Sequence, residues 1–109
     1  MAYAKTQLFN KQLQHIAEIF KALAHPARLQ ILLFLSGIKT CITGDISEEL
    51  PLSRTTVNQH LAELKKAGLI RGHVEGVKTN YCLNPDVINK AKNMISRFLD
   101  ELDCNTPLC

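Results

Sequence analysis

The stretch LSRTTVNQHLAELKKAGLIRG, residues 52–72, constrains the fold more than any other part of the chain. Ser53 suits the N-cap of an α-helix and Gly68 suits its C-terminal stop, which predicts a helix over residues 54–67. With about 100° of rotation per residue, the apolar side chains of this helix share one face. They are Val57, Leu61 and Leu64. A narrow apolar seam therefore anchors the helix and leaves most of its surface polar.

The face opposite the seam has the composition of a surface that reads DNA. It carries Thr55, Gln59, Ala62 and Lys66, with Asn58 and Thr56 beside them. Asn and Gln can form paired hydrogen bonds with adenine, Thr offers a hydroxyl or a methyl group, and Ala permits close approach to a base. Arg54, the free amides of the first turn and Lys66 can hold phosphates. The alternative is that this polar face is only solvated.

The segments before residue 52 predict three further helices. Over residues 7–24 the apolar side chains recur at steps of three and four, which is helical spacing. His25-Pro26 interrupts that pattern, and residues 27–35 then form an almost wholly apolar segment that predicts a central buried helix. A cap at Thr43 or Asp45 predicts a short third helix. With the turn at residues 51–52 and the helix that follows, it makes a helix-turn-helix.

A β-hairpin is predicted directly after the capped helix. Residues 69–74 and 78–83 alternate as strands do, around a turn at Glu75-Gly76-Val77, and Arg71, His73 and Lys78 make this hairpin basic. Asn84-Pro85-Asp86 then opens a last helix. The predicted fold is mainly α with a β-hairpin wing: a winged helix-turn-helix with four helices, two strands and a fifth helix. We expect residues 1–103 to form the domain and residues 104–109 a flexible, cysteine-bearing tail.

The composition fits a small globular protein and excludes several other classes. The chain has 109 residues, of which 46% are hydrophobic and 21% charged, and its net charge is +3. The longest apolar run, ILLFL, is too short to span a membrane, and the N-terminus is polar and contains lysine. We therefore expect a cytoplasmic protein in which the four cysteines are thiols. No residues have the spacing of a catalytic site, so we do not expect an enzyme.

The predicted first and last helices have apolar stripes wider than one small core requires. A homodimer formed through these terminal helices would bury the excess apolar surface. A two-fold dimer would also hold two reading helices about 34 Å apart, one turn of DNA, as a palindromic site demands. The alternative is that both helices only close the core of a monomer.

Three segments resemble the ArsR/SmtB family of metal-responsive bacterial repressors. They are FKALAHPARLQILLFL, DISEELPLSRTTVNQHLAELKKAGLIRG and GVKTNYCLNP, within a match that runs from about Ile16 to Pro85. The resemblance implies a homodimer that binds an imperfect inverted repeat in double-stranded operator DNA. It also implies an inducer whose binding lowers DNA affinity and releases transcription of resistance genes.

The resemblance assigns recognition-helix positions to Ser53, Arg54, Thr55, Thr56, Asn58, Gln59 and His60, and places Lys78 on the wing. The polar-face pattern adds Lys66 to these DNA-binding candidates. His60 lies between the apolar seam and the outer face of the helix. It has two open interpretations, a contact to a DNA phosphate or a structural hydrogen bond.

The inducer site is expected to consist of thiols. Many relatives carry Cys-x-Cys at the start of the third helix, whereas CITGDISEEL keeps only the first cysteine, Cys41. The family's zinc-type site on the last helix needs a histidine ligand, whereas the corresponding segment here, VINKAKNMISRFLDEL, contains no histidine. Cys41, Cys104 and Cys109 remain, and three soft thiolates suit trivalent arsenic or antimony. They could meet within one subunit or between two.

Other interpretations of the cysteines and of the fold stay open. The tail cysteines could be incidental, with Cys41 a small buried apolar residue, while Cys82 on the hairpin is expected to be structural. A redox-responsive repressor would instead oxidise Cys104 or Cys109 to a disulfide. A winged-helix module that binds protein would show no salt-dependent DNA affinity. No cofactor is expected for folding.

Overall fold

The computed structural model describes residues 5–37, 42–43, 46–75 and 78–105 of the chain. Helices at both ends of this sequence enclose a helix-turn-helix and a small sheet. In chain order the elements are a 3-10 helix (Lys5–Leu8), α1 (Lys11–Leu23), α2 (Pro26–Ser36), β1 (Ile42–Thr43), a second 3-10 helix (Ile46–Glu49), α3 (Arg54–Lys66), β2 (Ile70–Glu75), β3 (Lys78–Leu83) and α4 (Pro85–Asp100). None of the helices among these residues has both the length and the apolar character of a membrane span.

The predicted third helix is wrong as an α-helix. Its segment forms only the 3-10 helix at Ile46–Glu49, so the described residues contain four α-helices where the sequence predicted five. Pro51 disfavours helical backbone at the residue before it, and so few residues cannot repay the cost of starting an α-helix. Thr43, a candidate cap, lies instead in β1, while Asp45 lies outside the described residues.

The first two helices meet at a capped corner. Asn10 begins α1, because its Oδ1 accepts a hydrogen bond from the backbone N–H of Leu13 at 2.8 Å. His25 begins α2 in the same way, with Nδ1 accepting from the N–H of Ala27 at 3.0 Å, and Pro26 occupies the first helical turn. The side chain of His25 is therefore a helix cap.

The second helix is buried along one face only, which corrects the prediction of a helix buried nearly all round. Ala27, Ile31 and Leu35 face the core, whereas Leu33 remains 68% exposed and Leu29 47% exposed. Apolar residues fill most positions of this segment, so its periodicity is too weak to indicate which face packs inward.

The recognition helix α3 has both predicted ends and the predicted seam. Ser53 Oγ accepts from the N–H of Thr56 at 3.2 Å. Gly68 follows the helix at φ +82°. Its N–H donates to Lys65 O at 2.9 Å, and the N–H of Leu69 donates to Leu64 O at 3.1 Å, which together form a Schellman motif. Val57, Leu61 and Leu64 are all buried, with at most 3% of each exposed.

The hairpin predicted after α3 is present and gains a third strand. β2 and β3 pair antiparallel from Ile70 opposite Leu83 to Glu75 opposite Lys78. The predicted turn residues Gly76 and Val77 lie outside the described residues. β1 adds to the other edge of β3, giving the order β1-β3-β2. Two residues are too few for any sequence periodicity, so β1 could not be predicted.

The last helix packs against α1 and against the core. Ala91 is its only fully buried residue among those described, and Phe98 meets Phe20 of α1 edge to face, with ring centroids 6.0 Å apart. The helix ends at Asp100, so Leu102 lies beyond it and is 53% exposed. Much of the apolar surface of the terminal helices therefore remains open.

Gly68→Ala is expected to lower the free energy of unfolding by about 1–2 kcal/mol. The cause is backbone strain alone, because a Cβ at Gly68 would meet Val87 at an ordinary contact distance of 3.5 Å. Gly37→Ala is the matched control, since Gly37 ends α2 at φ −78°, where any residue fits. Urea denaturation of both variants measures the difference. Equal midpoints would contradict the strain at Gly68.

Candidate DNA-binding surface

The outer face of α3 is open to solvent. Among the predicted contact residues, Arg54, Thr55, Asn58, Gln59 and Lys66 are exposed. They are held on one side of a helix whose other side is fixed in the core by its apolar seam. An array of amide, hydroxyl and cationic side chains on a rigid helix has the shape and the chemistry needed to enter a major groove.

Two of the predicted contact residues take part in the helix cap. Ser53 Oγ donates to Thr56 Oγ1 at 3.0 Å, in addition to accepting the N–H of Thr56. Thr56 is half-buried, whereas Ser53 is exposed. These two hydroxyls fix the start of α3, where the amides of the first turn and Arg54 meet the solvent. The cap thus orients the end of the helix that is expected to approach phosphates.

His60 lies inside the protein rather than on the outer face. Only 8% of the residue is exposed, and its Nδ1 accepts a hydrogen bond from Arg28 Nε at 3.1 Å. The ring also lies against His25 of α2, with centroids 4.2 Å apart. Of the two interpretations that the sequence allowed for His60, this geometry favours the structural hydrogen bond.

The environment of His60 keeps its ring neutral. Burial lowers the pKa of His60 below its ordinary value of 6.5, and the nearby His25 and Arg28 lower this pKa further. An Nδ1 that accepts a hydrogen bond carries no proton, so the neutral ring has its proton on Nε2. Nε2 is buried and has no hydrogen-bond partner among the described residues.

The wing stands beside the recognition helix. Arg71 and His73 of β2 are exposed, and Arg71 Nη2 donates to Asn84 Oδ1 at 3.1 Å, which ties the strand to the start of α4. Lys78 is placed by its backbone as the first residue of β3, opposite Glu75. Cys82 is half-buried in β3 opposite Arg71, and its structural role stays a prediction. The strand of the hairpin that packs against α3 thus carries the exposed cation Arg71.

The predicted thiol site is only partly within the described residues. Cys104 is exposed just beyond the end of α4, whereas Cys41 and Cys109 lie outside the described residues. Among the residues that the structure describes, no group of three or more His, Cys, Asp or Glu side chains could hold a metal ion. The site of Cys41, Cys104 and Cys109 therefore stays a prediction.

Sequence reasoning missed Arg28, which contacts the recognition helix from α2. The only signal was a charged residue inside the apolar segment ARLQILLFL. Such a residue must either reach the surface or find a partner. Nothing in the sequence indicated that the partner would be His60, 32 residues further along the chain.

A helix-turn-helix with an open polar helix and an adjacent hairpin defines a winged helix-turn-helix regulator. Residues 25–71 match the family model described as bacterial regulatory protein, arsR family. The chain is 34% identical to the transcriptional repressor SdpR of Bacillus subtilis, over 78% of this chain and 93% of that protein. It is 34% identical to the HTH-type transcriptional regulator YgaV of Escherichia coli, over 70% of this chain and 77% of that protein.

A solved structure agrees with these relatives. An ArsR-like transcriptional regulator from Rhodococcus superposes with a TM-score of 0.69 at 25% identity, covering 84% of this chain and 86% of that one. The chain belongs to the ArsR family of helix-turn-helix transcriptional regulators, a class that acts by binding DNA. These named relatives are regulators and not enzymes, which is consistent with the expectation from the sequence.

The open face of α3 predicts two separable effects on DNA binding. Lys66→Ala should weaken binding to every duplex and reduce the slope of log K against log salt by about 0.9, the value for one lost phosphate contact. Gln59→Ala should leave that slope unchanged and cost about 1–3 kcal/mol of discrimination between the preferred duplex and altered ones. Fluorescence anisotropy on a duplex selected by the native chain from random sequences measures both.

Lys92→Ala is the matched control, because Lys92 is an exposed lysine on a different helix, α4. Its salt slope and its sequence preference should equal those of the native chain. If Lys66→Ala and Lys92→Ala behave alike, the outer face of α3 does not contact phosphates.

Proposed function

We propose that the chain is a repressor that binds operator DNA as a homodimer and leaves it when a thiophilic inducer binds. The observation that carries this proposal is the open polar face of α3, fixed to the core by Val57, Leu61 and Leu64. A helix docked in this way can enter a groove without unfolding or repacking. The name of the relative SdpR, a transcriptional repressor, supports repression as the outcome.

Exposed apolar side chains on the terminal helices support a homodimer. On the N-terminal side and α1 they are Leu8, Phe9, Leu13 and Phe20, and at the end of α4 they are Leu99 and Leu102. A cleft between α1 and α4 is lined in part by Leu13, Ile16, Met94 and Phe98. Apolar surface of this kind on two neighbouring helices is typical of an interface. Joined there, two copies would present two recognition helices to an inverted repeat.

Leu13→Glu and Leu99→Glu are each expected to lower the association constant of the dimer by at least tenfold. Burying an unpaired carboxylate at the interface costs several kcal/mol, whereas a tenfold change corresponds to only ~1.4 kcal/mol. Both residues are substantially exposed within one chain, at 44% and 55%, so the fold of the monomer should survive the changes. Sedimentation equilibrium measures the association constant, and binding to a duplex with one or two half-sites measures its effect on DNA affinity.

Leu33→Glu on α2 is the control, since Leu33 is 68% exposed and lies outside the terminal helices. It should associate like the native chain. A native chain that stays monomeric at micromolar concentration would contradict the homodimer, and equal weakening by Leu33→Glu would contradict the assignment to α1 and α4.

The inducer is proposed to be trivalent arsenic or antimony held by Cys41, Cys104 and Cys109. Three thiolates arranged as a pyramid satisfy a trivalent arsenic centre, and two suffice when the arsenic carries an organic group. The exposure of Cys104 beyond α4 supports an accessible thiol in this segment. Cys41 precedes the 3-10 helix of the helix-turn-helix, so a bond formed there would act on the segment that leads into α3.

Arsenite, kept with a phosphine reductant, is expected to lower operator affinity of the native chain by about 5–150-fold, the usual range of coupling between two sites. Cys41→Ser, Cys104→Ser and Cys109→Ser should each lose this response, because each removes one of the three sulfurs. Cys82→Ser is the matched control and should respond like the native chain. If all three substitutions still respond to arsenite, the proposed site is wrong.

The exposed thiol of Cys104 also favours a second candidate, a redox-responsive repressor of the same fold. Peroxide distinguishes the two candidates, because a disulfide switch should release DNA under peroxide and ignore arsenite under full reduction. Release by peroxide alone would replace the metalloid inducer with an oxidant. Mass spectrometry of the released protein would then identify the disulfide.

A further inference from the structure

Arg28 connects three helices through one guanidinium group. Its Nε donates to His60 Nδ1 of α3 at 3.1 Å. Its Nη1 donates to the carbonyl oxygens of Lys21 and Ala22 at 3.2 and 3.3 Å. Those carbonyls belong to the last turn of α1, and that of Lys21 also accepts from the backbone N–H of Ala24 at 3.3 Å. One side chain of α2 therefore ties the end of α1 to the recognition helix.

His60 holds a position from which it can set the angle of the recognition helix. It follows Gln59, whose side chain is exposed on the outer face of α3, while the His60 ring is more than nine-tenths buried. The neighbouring seam residues pack by apolar contact, which has little directional preference. The hydrogen bond from Arg28 is directional, so it restrains rotation of α3 about its own axis.

We propose that Arg28 and His60 are positioning residues for DNA binding: their hydrogen bond fixes the angle at which α3 meets the operator, and protonation of His60 breaks that bond. Operator binding through α3, the function proposed above, is the premise of this role. A protonated imidazole has only donors, so Arg28 Nε would then face an N–H instead of a lone pair. Two positive charges would also stand side by side.

The burial and the charged surroundings of His60 determine in which direction a change of pH shifts the hydrogen bond with Arg28. The titratable and charged groups around the cleft that His60 lines are His15, Glu18 and Lys21 on α1, His25 and Arg28 on α2, and Glu63 and Lys66 on α3. Burial is the largest cause that lowers the pKa of His60 while Arg28 is hydrogen-bonded to it, and the nearby His25 and Arg28 lower this pKa further. The arrangement in which Arg28 donates to His60 is therefore favoured at pH values above 6.5, the ordinary pKa, and is lost progressively as the pH falls below that value.

The pH dependence of operator affinity tests His60 directly. Between pH 7.5 and 5.5 the native chain should lose up to about tenfold more affinity than His60→Asn for each copy of His60 in the bound dimer, the limit for a histidine with an ordinary pKa when released. Asn can place its Oδ1 near the position of Nδ1 and accept from Arg28 without titrating. If His60→Asn and the native chain show the same pH dependence, the role of His60 is overturned.

The salt dependence of binding separates positioning from direct contact by Arg28. Arg28→Gln should lower affinity at pH 7.5 by about fivefold, the loss of one hydrogen bond of about 1 kcal/mol, with the slope of log K against log salt unchanged. A slope reduced by about 0.9, as expected for Lys66→Ala, would make Arg28 a phosphate contact and overturn the positioning role. Circular dichroism checks that the variant is folded.

Nuclear magnetic resonance of the free protein tests the contact without DNA. The imidazole signals of His60 should titrate below pH 6.5, and the amide signals of α3 should shift with the same midpoint. If the imidazole signals of His60 titrate at pH 6.5 and the amide signals of α3 do not shift, the proposal is overturned even if operator binding is intact. The expected titration in a chain that selects no duplex would instead contradict the proposed function and leave the contact established.

Discussion

The burial of one narrow face of α3 is the interaction on which the rest of the structure depends. Val57, Leu61 and Leu64 are almost fully removed from solvent, and each contributes roughly 1.5–3 kcal/mol through that burial. The seam is narrow, so the remaining surface of the helix is available for polar residues. A wider apolar face would have to be covered by other parts of the protein, and these would block the surface of α3 that is proposed to meet DNA. The same three residues thus stabilise the domain and leave its recognition surface open.

The end of α3 also determines where the wing stands. Gly68 reverses the chain in the left-handed region, and Leu69 follows it into the core with 1% exposed. β2 begins one residue later, so the hairpin starts at a fixed distance from the last turn of the recognition helix. Helix and wing are consequently one unit, in which the strand that carries Arg71 packs against α3.

The sequence predicted these local features because each has a local physical cause. Ser53, Gly68 and the apolar spacing specify α3 within about twenty residues, and strand alternation specifies the hairpin. The short β1 and the exposed side of α2 depend on packing between distant segments, which a single sequence does not display. The contact between Arg28 and His60 is of the same kind. The proposed thiol site is a third case, because two of its three cysteines lie outside the described residues. Whether the three sulfurs come together depends on the chemistry of the inducer as well as on the fold.

Apolar burial and the Arg28 hydrogen bond make different contributions to a helix that reads DNA. The seam supplies most of the free energy that docks α3, but apolar contact tolerates small rotations, since it scales with area and not with angle. One hydrogen bond adds only about 1 kcal/mol, yet it weakens steeply when its geometry is disturbed. Base recognition needs side chains placed to within hydrogen-bond distance, so a weak directional contact beneath the helix can change affinity while stability changes little. A buried histidine in that contact makes the orientation of the helix depend on pH, which the seam alone cannot do.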